Sequence, residues 1–139
     1  MMMIEKVFKV IIAGGRDFDD YELLRDKCRK LLTNKERVVI VSGTANGADK
    51  LGEVFAINHL YDVERYPADW DNLNVTPCVI KHTKTGKPYN AVAGHNRNKL
   101  MSENADALIC FWDGRSKGTK NMIDLANRVG LLMRVIRYG

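Results

Sequence analysis

The sequence has few cysteines, no long apolar run and no block of charge of one sign, and each absence excludes a class of protein. Three cysteines among 139 residues, without CxxC spacing, argue against a disulfide framework. No apolar stretch approaches membrane-spanning length, and the first residues lack the apolar segment of a signal peptide. The 22 Lys+Arg against 17 Asp+Glu suit an anionic ligand without forming a basic tail. We therefore expect a cytoplasmic protein with no membrane partner.

Metal ligands are also sparse. A site could be assembled from Cys78, His82 and His95, but their spacing fits no standard zinc motif. The prediction is that the chain holds no metal and needs no cofactor. The cysteines are instead typical of small apolar side chains that fill space.

Glycine, by contrast, is present in three loops that each follow an apolar run. These loops span residues 14–17, 42–49 and 113–119. Strands of a parallel sheet end at one edge, where backbone N–H groups and helix N-termini attract negatively charged ligands. One such loop alone is more typical of an ordinary strand-to-helix turn, but three at one edge predict a site for a phosphate-bearing ligand.

Apolar periodicity predicts alternating strands and helices. The segments that predict strands are 7–13, 37–41, 62–66, 105–111 and 131–136, and the first two are nearly continuous apolar runs typical of buried strands. Helical spacing predicts a helix after each of the first two strands, another over 94–104 and a last one before Gly130. This alternation predicts an α/β fold with a single Rossmann-like, doubly wound, mainly parallel sheet of about five strands and helices on both faces. Residues 1–139 are predicted to form one domain.

One polar stretch, at about 68–93, interrupts the alternation. Residues 79–82 and 84–87 in it hint at a small hairpin. A connection of this length in a compact domain is more often functional than structural. We interpret it as a lid-like insertion or a partner surface.

Five motifs in this order resemble the YspA and YpsA-related families of the SLOG superfamily. They are IAGGRDF at 12–18, SGTANGAD at 42–49, YPADW at 66–70, GHNRN at 94–98 and GRSKGT at 114–119. The superfamily includes the DNA-processing protein DprA and the LOG phosphoribohydrolases. The resemblance implies a Rossmann-like domain that binds nucleotides or nucleotide-derived ligands, and it does not fix one activity.

The resemblance to the LOG enzymes has a gap. Their pattern places an acidic residue three positions after the Thr of the last motif, where this chain has Met122. Asp17 and Asp69 are the candidates to replace that carboxylate, and Arg97 completes the predicted catalytic set. Asp49 is more typical of a carboxylate that caps the following helix.

The predicted ligand contacts lie in the loops and motifs. They are Gly14, Gly15, Arg16, Ser42, Gly43, Thr44, Gly47, Asp49, Trp70, Asn96, Gly114, Ser116, Gly118 and Thr119. Arg97 is predicted to clamp a phosphate. Trp70 or Trp112 could stack on a base, although partial core burial is equally open for Trp112.

The predicted function is binding, for sensing or processing, of a small nucleotide or ADP-ribose-like phosphate ligand. Two alternatives stay open, an N-glycosidic phosphoribohydrolase and a single-stranded DNA-binding module of the DprA kind. The DNA-binding alternative is based on a set of cations that are expected to be exposed: Lys81, Lys84, Lys87, Arg115, Lys117 and Lys120. It ranks lower because only Tyr89 and Trp112 accompany them as stacking platforms. A homo-oligomer is also left open.

Overall fold

The computed structural model describes residues 6–139, so residues 1–5 of the predicted domain lie outside the described residues. The elements of the described part, in chain order, are β1 (Phe8–Gly14), α1 (Tyr21–Leu32), β2 (Val38–Ser42), α2 (Ala48–Asn58), β3 (Asp62–Arg65), β4 (Ile80–His82), β5 (Pro88–Asn90), α3 (Ala93–Glu103), β6 (Ala107–Trp112), α4 (Lys117–Val129) and β7 (Leu132–Arg137). The five predicted strands all form, with ends within two residues of the expected ones; β1, β2 and β6 are largely buried, whereas β3 and β7 are partly exposed.

Five of the strands form one parallel sheet in the order β3-β2-β1-β6-β7. The chain winds outward from β1 through β2 to β3 and then crosses back to β6 on the other side of β1. Neighbouring loops therefore leave β1 and β6 in opposite directions, which opens a crevice at the carboxyl ends of these two strands. The predicted Rossmann-like α/β fold is confirmed.

The central strands β1, β2 and β6 are buried on both faces, which explains why they are nearly continuous apolar runs. Val10 and Ile12 of β1 join one hydrophobic cluster with α1 and α2, while Ile11 and Ala13 join a second cluster with α3 and α4. Successive strand residues point to opposite faces, so each strand contributes to both clusters.

Helix ends follow local sequence signals. The Asp20 carboxylate accepts the N–H of Leu23 at 3.1 Å and starts α1. Gly130 ends α4 in the left-handed conformation, at a φ of 79°, that glycine adopts most readily. Within residues 6–139, the helices are too short or too polar to span a lipid bilayer.

The insertion carries an antiparallel hairpin of β4 and β5. Its second strand is Pro88–Asn90 rather than the predicted 84–87, because Thr83 to Lys87 form the turn, in which Gly86 has a φ of 91°. Asn90 is fully buried and orders the segment, since its side-chain oxygen accepts the N–H groups of Val79 and Val92, each at 3.1 Å.

Candidate functional site

A crevice of about 410 Å³ lies at the carboxyl edge of the sheet, where the chain reverses between β1 and β6. Its walls come from the loops after β1, β2 and β6, the first turns of α3 and α4, and the insertion. The residues from the predicted site that line this crevice are Gly14, Gly15, Arg16, Asp17, Asp49, Trp70, Arg97, Ser116, Gly118 and Thr119.

Two smaller hollows adjoin the crevice. The first, which we call the loop hollow, has a volume of about 260 Å³ and is lined by Gly43 and Thr44 together with Arg16, Trp70 and Arg97. The second, the side hollow, has a volume of about 280 Å³ and lies against the insertion. Arg97 borders all three spaces.

Two predicted residues lie in the side hollow and not in the crevice. Asp69 is exposed there, which separates this predicted catalytic carboxylate from the glycine loops. The Asn96 amide donates to the carbonyl of Pro77 at 3.0 Å, so it fastens α3 to the insertion. Helix geometry explains the position of Asn96. Adjacent residues of a helix point about 100° apart, and Arg97, the next residue, points toward the crevice.

Three further predicted ligand contacts line none of these spaces. Ser42 is fully buried, and its hydroxyl donates to Glu53 at 2.7 Å. Gly47 packs on the backbone of the loop after β1, and Gly114 lies beneath the Arg137 guanidinium. The structure thus shows Ser42 in a hydrogen bond within the protein, and Gly47 and Gly114 at places where another chain segment approaches closely.

The loops after β1 and β2 interlock through their backbones. The Gly15 carbonyl accepts the N–H groups of Phe18 at 3.2 Å and Ala48 at 3.1 Å, and the Gly15 N–H donates to Phe111 at 3.1 Å. A Cβ atom on Gly14 would overlap the Phe111 carbonyl oxygen. These backbone contacts hold the two loops against each other and against β6.

The loop after β6 has a different arrangement. One carboxylate oxygen of Asp113 accepts the N–H groups of Arg115 and Ser116, each at 2.8 Å, and the Ser116 hydroxyl accepts the N–H of Thr119 at 3.3 Å. In the described part of the chain, the N–H groups of Lys117 and Gly118 donate to no protein acceptor. Of the two residues, Gly118 lines the crevice, where the dipole of α4 favours an anion.

Arg97 is held firmly while it faces this opening. Its Nη1 donates to the carbonyl of Gly43, and its Nε donates to the side-chain oxygen of Asn98 at 2.9 Å. Partial burial lowers the pKa of the guanidinium, the charge of Asp49 offsets part of that effect, and the neighbouring Arg16 adds to it. Two cations that repel each other in a partly desolvated crevice gain from a bound anion.

Asp49 is the most buried carboxylate of the crevice, with 6% of its surface exposed. Its Oδ2 accepts the N–H of Ala45 at 3.1 Å, in the loop before the helix. The carboxylate therefore holds the loop rather than the first turn of α2, which corrects the capping interpretation. Burial raises the pKa of Asp49 to about 6, although the Ala45 hydrogen bond and the charge of Arg97 act in the opposite direction.

Sequence reasoning missed Asn98 and Tyr138. Asn98 lines the crevice, accepts from Arg97 and donates to Asn121 of α4 at 3.0 Å, so it links the two helices behind the guanidinium. The available signal was its place in the GHNRN motif, one residue after Arg97. The Tyr138 hydroxyl donates to Asp17 at 2.7 Å, a contact between distant parts of the chain that no local pattern encodes.

The two tryptophans differ in position. Trp70 is 38% exposed, lines the crevice and meets Tyr89 edge-on, with ring centroids 6.5 Å apart. The indole N–H of Trp112 donates to the carbonyl of Ser116 at 3.1 Å, and the Arg137 guanidinium lies over its ring at 5.3 Å. Only Trp70 is therefore available to a ligand in the crevice.

Met122 belongs to the crevice and to the core at once. It is 1% exposed, packs in the second hydrophobic cluster and lines the crevice beside Thr119. Among residues 6–139, no three or more His, Cys, Asp or Glu side chains come together in a way that would hold a metal ion.

The fold and the crevice define a Rossmann-like α/β domain with a polar cleft at its switch point. Within that class, the family model described as YAcAr, the YspA and cpYpsA-related SLOG family, matches residues 8–72. Over residues 8–72, this match confirms the resemblance to the SLOG superfamily predicted from the sequence motifs.

Solved structures of DNA processing protein A resemble the whole chain. The X-ray structure of DprA from Streptococcus pneumoniae is 19% identical with a TM-score of 0.69, covering 96% of this chain and 51% of its own. The structure of the Helicobacter pylori protein, described as having a unique single-stranded DNA binding mode, is 20% identical with a TM-score of 0.59, covering 95% and 66%. The chain thus spans one half to two thirds of these neighbours, and the likeness concerns the fold. No curated protein matches the sequence.

Proposed function

We propose that the crevice binds a small nucleotide or an ADP-ribose-like phosphate ligand, which the protein senses or processes. The observation that carries the proposal is the convergence of the Arg97 guanidinium and the open first turn of α4 on one cleft. A phosphate is the group that such a pair of donors fits, because guanidinium and helix N-terminus both supply N–H groups and positive charge.

The electrostatics support an anion more than a neutral ligand. Arg16 and Arg97 act on each other through charge, and the hydrogen bonds of Arg97 to Gly43 and Asn98 fix its direction. An ordered guanidinium loses little conformational freedom when a phosphate binds.

The aromatic ring of Trp70 supports a nucleotide over inorganic phosphate. It lies over Gly94 at the start of α3, with its nearest ring atom 3.4 Å from the position a Cβ would take. The exposed part of the ring offers a face for a base. The insertion that carries it would then close one side of the ligand, in agreement with the predicted lid.

A phosphoribohydrolase is a weaker candidate. Met122 stands at the position of the acidic residue of the LOG pattern, and a thioether cannot exchange a proton with water or a ribose hydroxyl. Of the two candidate replacements, Asp17 lines the crevice and Asp69 does not.

Single-stranded DNA binding is the second candidate, since that activity is described for the structural neighbour from Helicobacter pylori. Two of the cations that would contact a backbone are already paired, Lys87 with Asp71 at 3.1 Å and Lys120 with Asp124 at 2.9 Å. Binding that persists for oligonucleotides at high salt and ignores mononucleotides would favour this candidate over ours.

A thermal-shift titration with AMP, ADP, NAD and ADP-ribose tests the proposal. A ligand at 100 times its Kd stabilises the folded state by about 2.7 kcal/mol. Arg97→Ala should weaken binding about 10- to 100-fold, the range for a lost hydrogen bond to a charged group. Arg128→Ala, an exposed position in the last turn of α4, is the matched control and should bind as the unmodified protein does. No shift with any ligand would contradict the proposal.

A further inference from the structure

We propose that Asp49 accepts a hydrogen bond from a sugar hydroxyl of the bound nucleotide and thereby selects ribose over deoxyribose. The inference rests on the proposed nucleotide function and adds to it the residue that determines which sugar is bound. It would distinguish ribonucleotide ligands from DNA, which lacks the 2′-hydroxyl.

One oxygen of the carboxylate is available for this contact. Asp49 lines the crevice, and its Oδ2 is used by the N–H of Ala45 at 3.1 Å. Among residues 6–139, no hydrogen-bond partner is found for Oδ1. A carboxylate accepts up to four hydrogen bonds and donates none when ionised, so the open oxygen can accept a hydrogen bond from a donor of the ligand.

The neighbours of Asp49 place that donor close to the phosphate. The position that a Cβ on Gly43 would take lies 2.8 Å from Oδ2 of Asp49 and 2.9 Å from Nη1 of Arg97, so the two side chains flank the same glycine. Arg16 and Glu53 are the other charged groups that act on Asp49. A carboxylate next to the proposed phosphate site repels a second phosphate, and a hydroxyl on the attached sugar is the complementary group.

The other two carboxylates of the crevice are less suited to this role. Asp17 accepts from the Tyr138 hydroxyl at 2.7 Å and is exposed to solvent. Asp113 accepts two backbone N–H groups that shape the loop after β6. Asp49 alone among them is both buried and open toward the ligand space in the described part of the chain.

The experiment compares AMP with 2′-deoxy-AMP by isothermal titration at pH 8, where Asp49 is ionised, on the unmodified protein and on Asp49→Asn. We expect the unmodified protein to bind AMP about tenfold or more tightly than 2′-deoxy-AMP, as for a hydrogen bond to a charged group. The variant should lose most of that preference, mainly through weaker binding of AMP. Asp124→Asn, which removes an exposed carboxylate paired with Lys120, is the control and should keep the preference.

The outcomes separate this inference from the proposed function. Equal affinity of the unmodified protein for both nucleotides, or an unchanged preference in Asp49→Asn, would overturn the role of Asp49 and leave nucleotide binding in place. Absence of binding by both nucleotides would overturn both. A melting curve of each variant checks that it is folded before the titration.

Discussion

The two walls of the crevice look alike in the sequence and differ in the structure. We call the loops after β1 and β2 the interlocked wall, and the loop after β6 with the first turn of α4 the open wall. In the interlocked wall, the backbone groups of Gly15 bond to other protein groups, and Gly14 and Gly47 allow close approach of neighbouring backbone. In the open wall, Gly118 lines the crevice and its N–H donates to no protein acceptor within the part of the chain described, while Asp113 and Ser116 accept the N–H groups of Arg115, Ser116 and Thr119.

This difference shows that a glycine in a loop has two separate uses. Gly14 serves packing, since any side chain would meet the next strand, whereas Gly118 has no atom within 4 Å of its missing Cβ. The presence of glycine alone does not show whether a loop binds a ligand or packs closely against a neighbouring strand. The distinction depends on whether a Cβ atom at the glycine would meet another chain segment, and substitutions in each wall should separate the two cases.

The largest effect is expected for Gly14→Ala in the interlocked wall. The added Cβ would overlap the Phe111 carbonyl oxygen and lie 3.0 Å from the Cβ of Ala48, so β1 would have to move away from β6. Both contacts are with the sheet and a buried helix, where little can shift. We expect a loss of more than about 4 kcal/mol in the free energy of unfolding, or failure to fold. Urea unfolding measures this free energy. A variant with unchanged stability would show that the interlocked wall is not closely packed at Gly14.

The next effect concerns Asp49 in the first turn of α2, whose Oδ2 accepts the N–H of Ala45 in the interlocked wall. Its pKa of about 6 in the folded state lies above the ordinary value of 3.8. Protonation therefore favours the folded state, and this contribution is complete below the ordinary pKa and lost as the pH rises through 6. At pH 8 the buried charge should cost up to about 3 kcal/mol, so Asp49→Asn should be more stable than the unmodified protein there.

The difference between the two proteins should shrink as the pH falls from 8 to 5, which thermal melting at several pH values measures. Other carboxylates such as Glu53 are present in both proteins and cancel in the comparison. A variant less stable than the unmodified protein at pH 8 would mean that Arg97 compensates the charge fully. A stability gain would instead agree with a carboxylate retained for a ligand at the expense of the fold.

Much of the fold could be predicted from sequence because its signals are local and strong. Buried parallel strands are continuous apolar runs, and helix limits follow from residues such as Asp20 and Gly130. The hairpin of the insertion was misplaced because short exposed strands lack periodicity, and its order depends on the buried amide of Asn90, which reads as an ordinary polar residue.

The site could be predicted only in outline. The loops were found because glycine and strand ends are visible in the sequence, and Arg97 because it stands in a motif. The sequence does not show the direction of a side chain, so it does not distinguish Asn96, which bonds to Pro77, from Asn98, which lines the crevice. Contacts between distant segments, such as the hydrogen bond from Ser42 to Glu53, decide which polar side chains already have a partner within the protein. The spacing of residues along the sequence does not reveal such contacts.

The smallest effect is expected for Gly118→Ala in the open wall. Gly118 lies in the first turn of α4, and open space surrounds its missing Cβ, so alanine should be tolerated and should stabilise the helix by about 0.5 kcal/mol. The same methyl group would stand at the edge of the crevice, where the proposed phosphate approaches the backbone. We therefore expect a slightly higher Tm and a smaller shift on adding AMP, measured in one thermal-shift series. A lower Tm would contradict the open character of this wall, whereas an unchanged AMP shift would move the phosphate away from Gly118 toward Arg97.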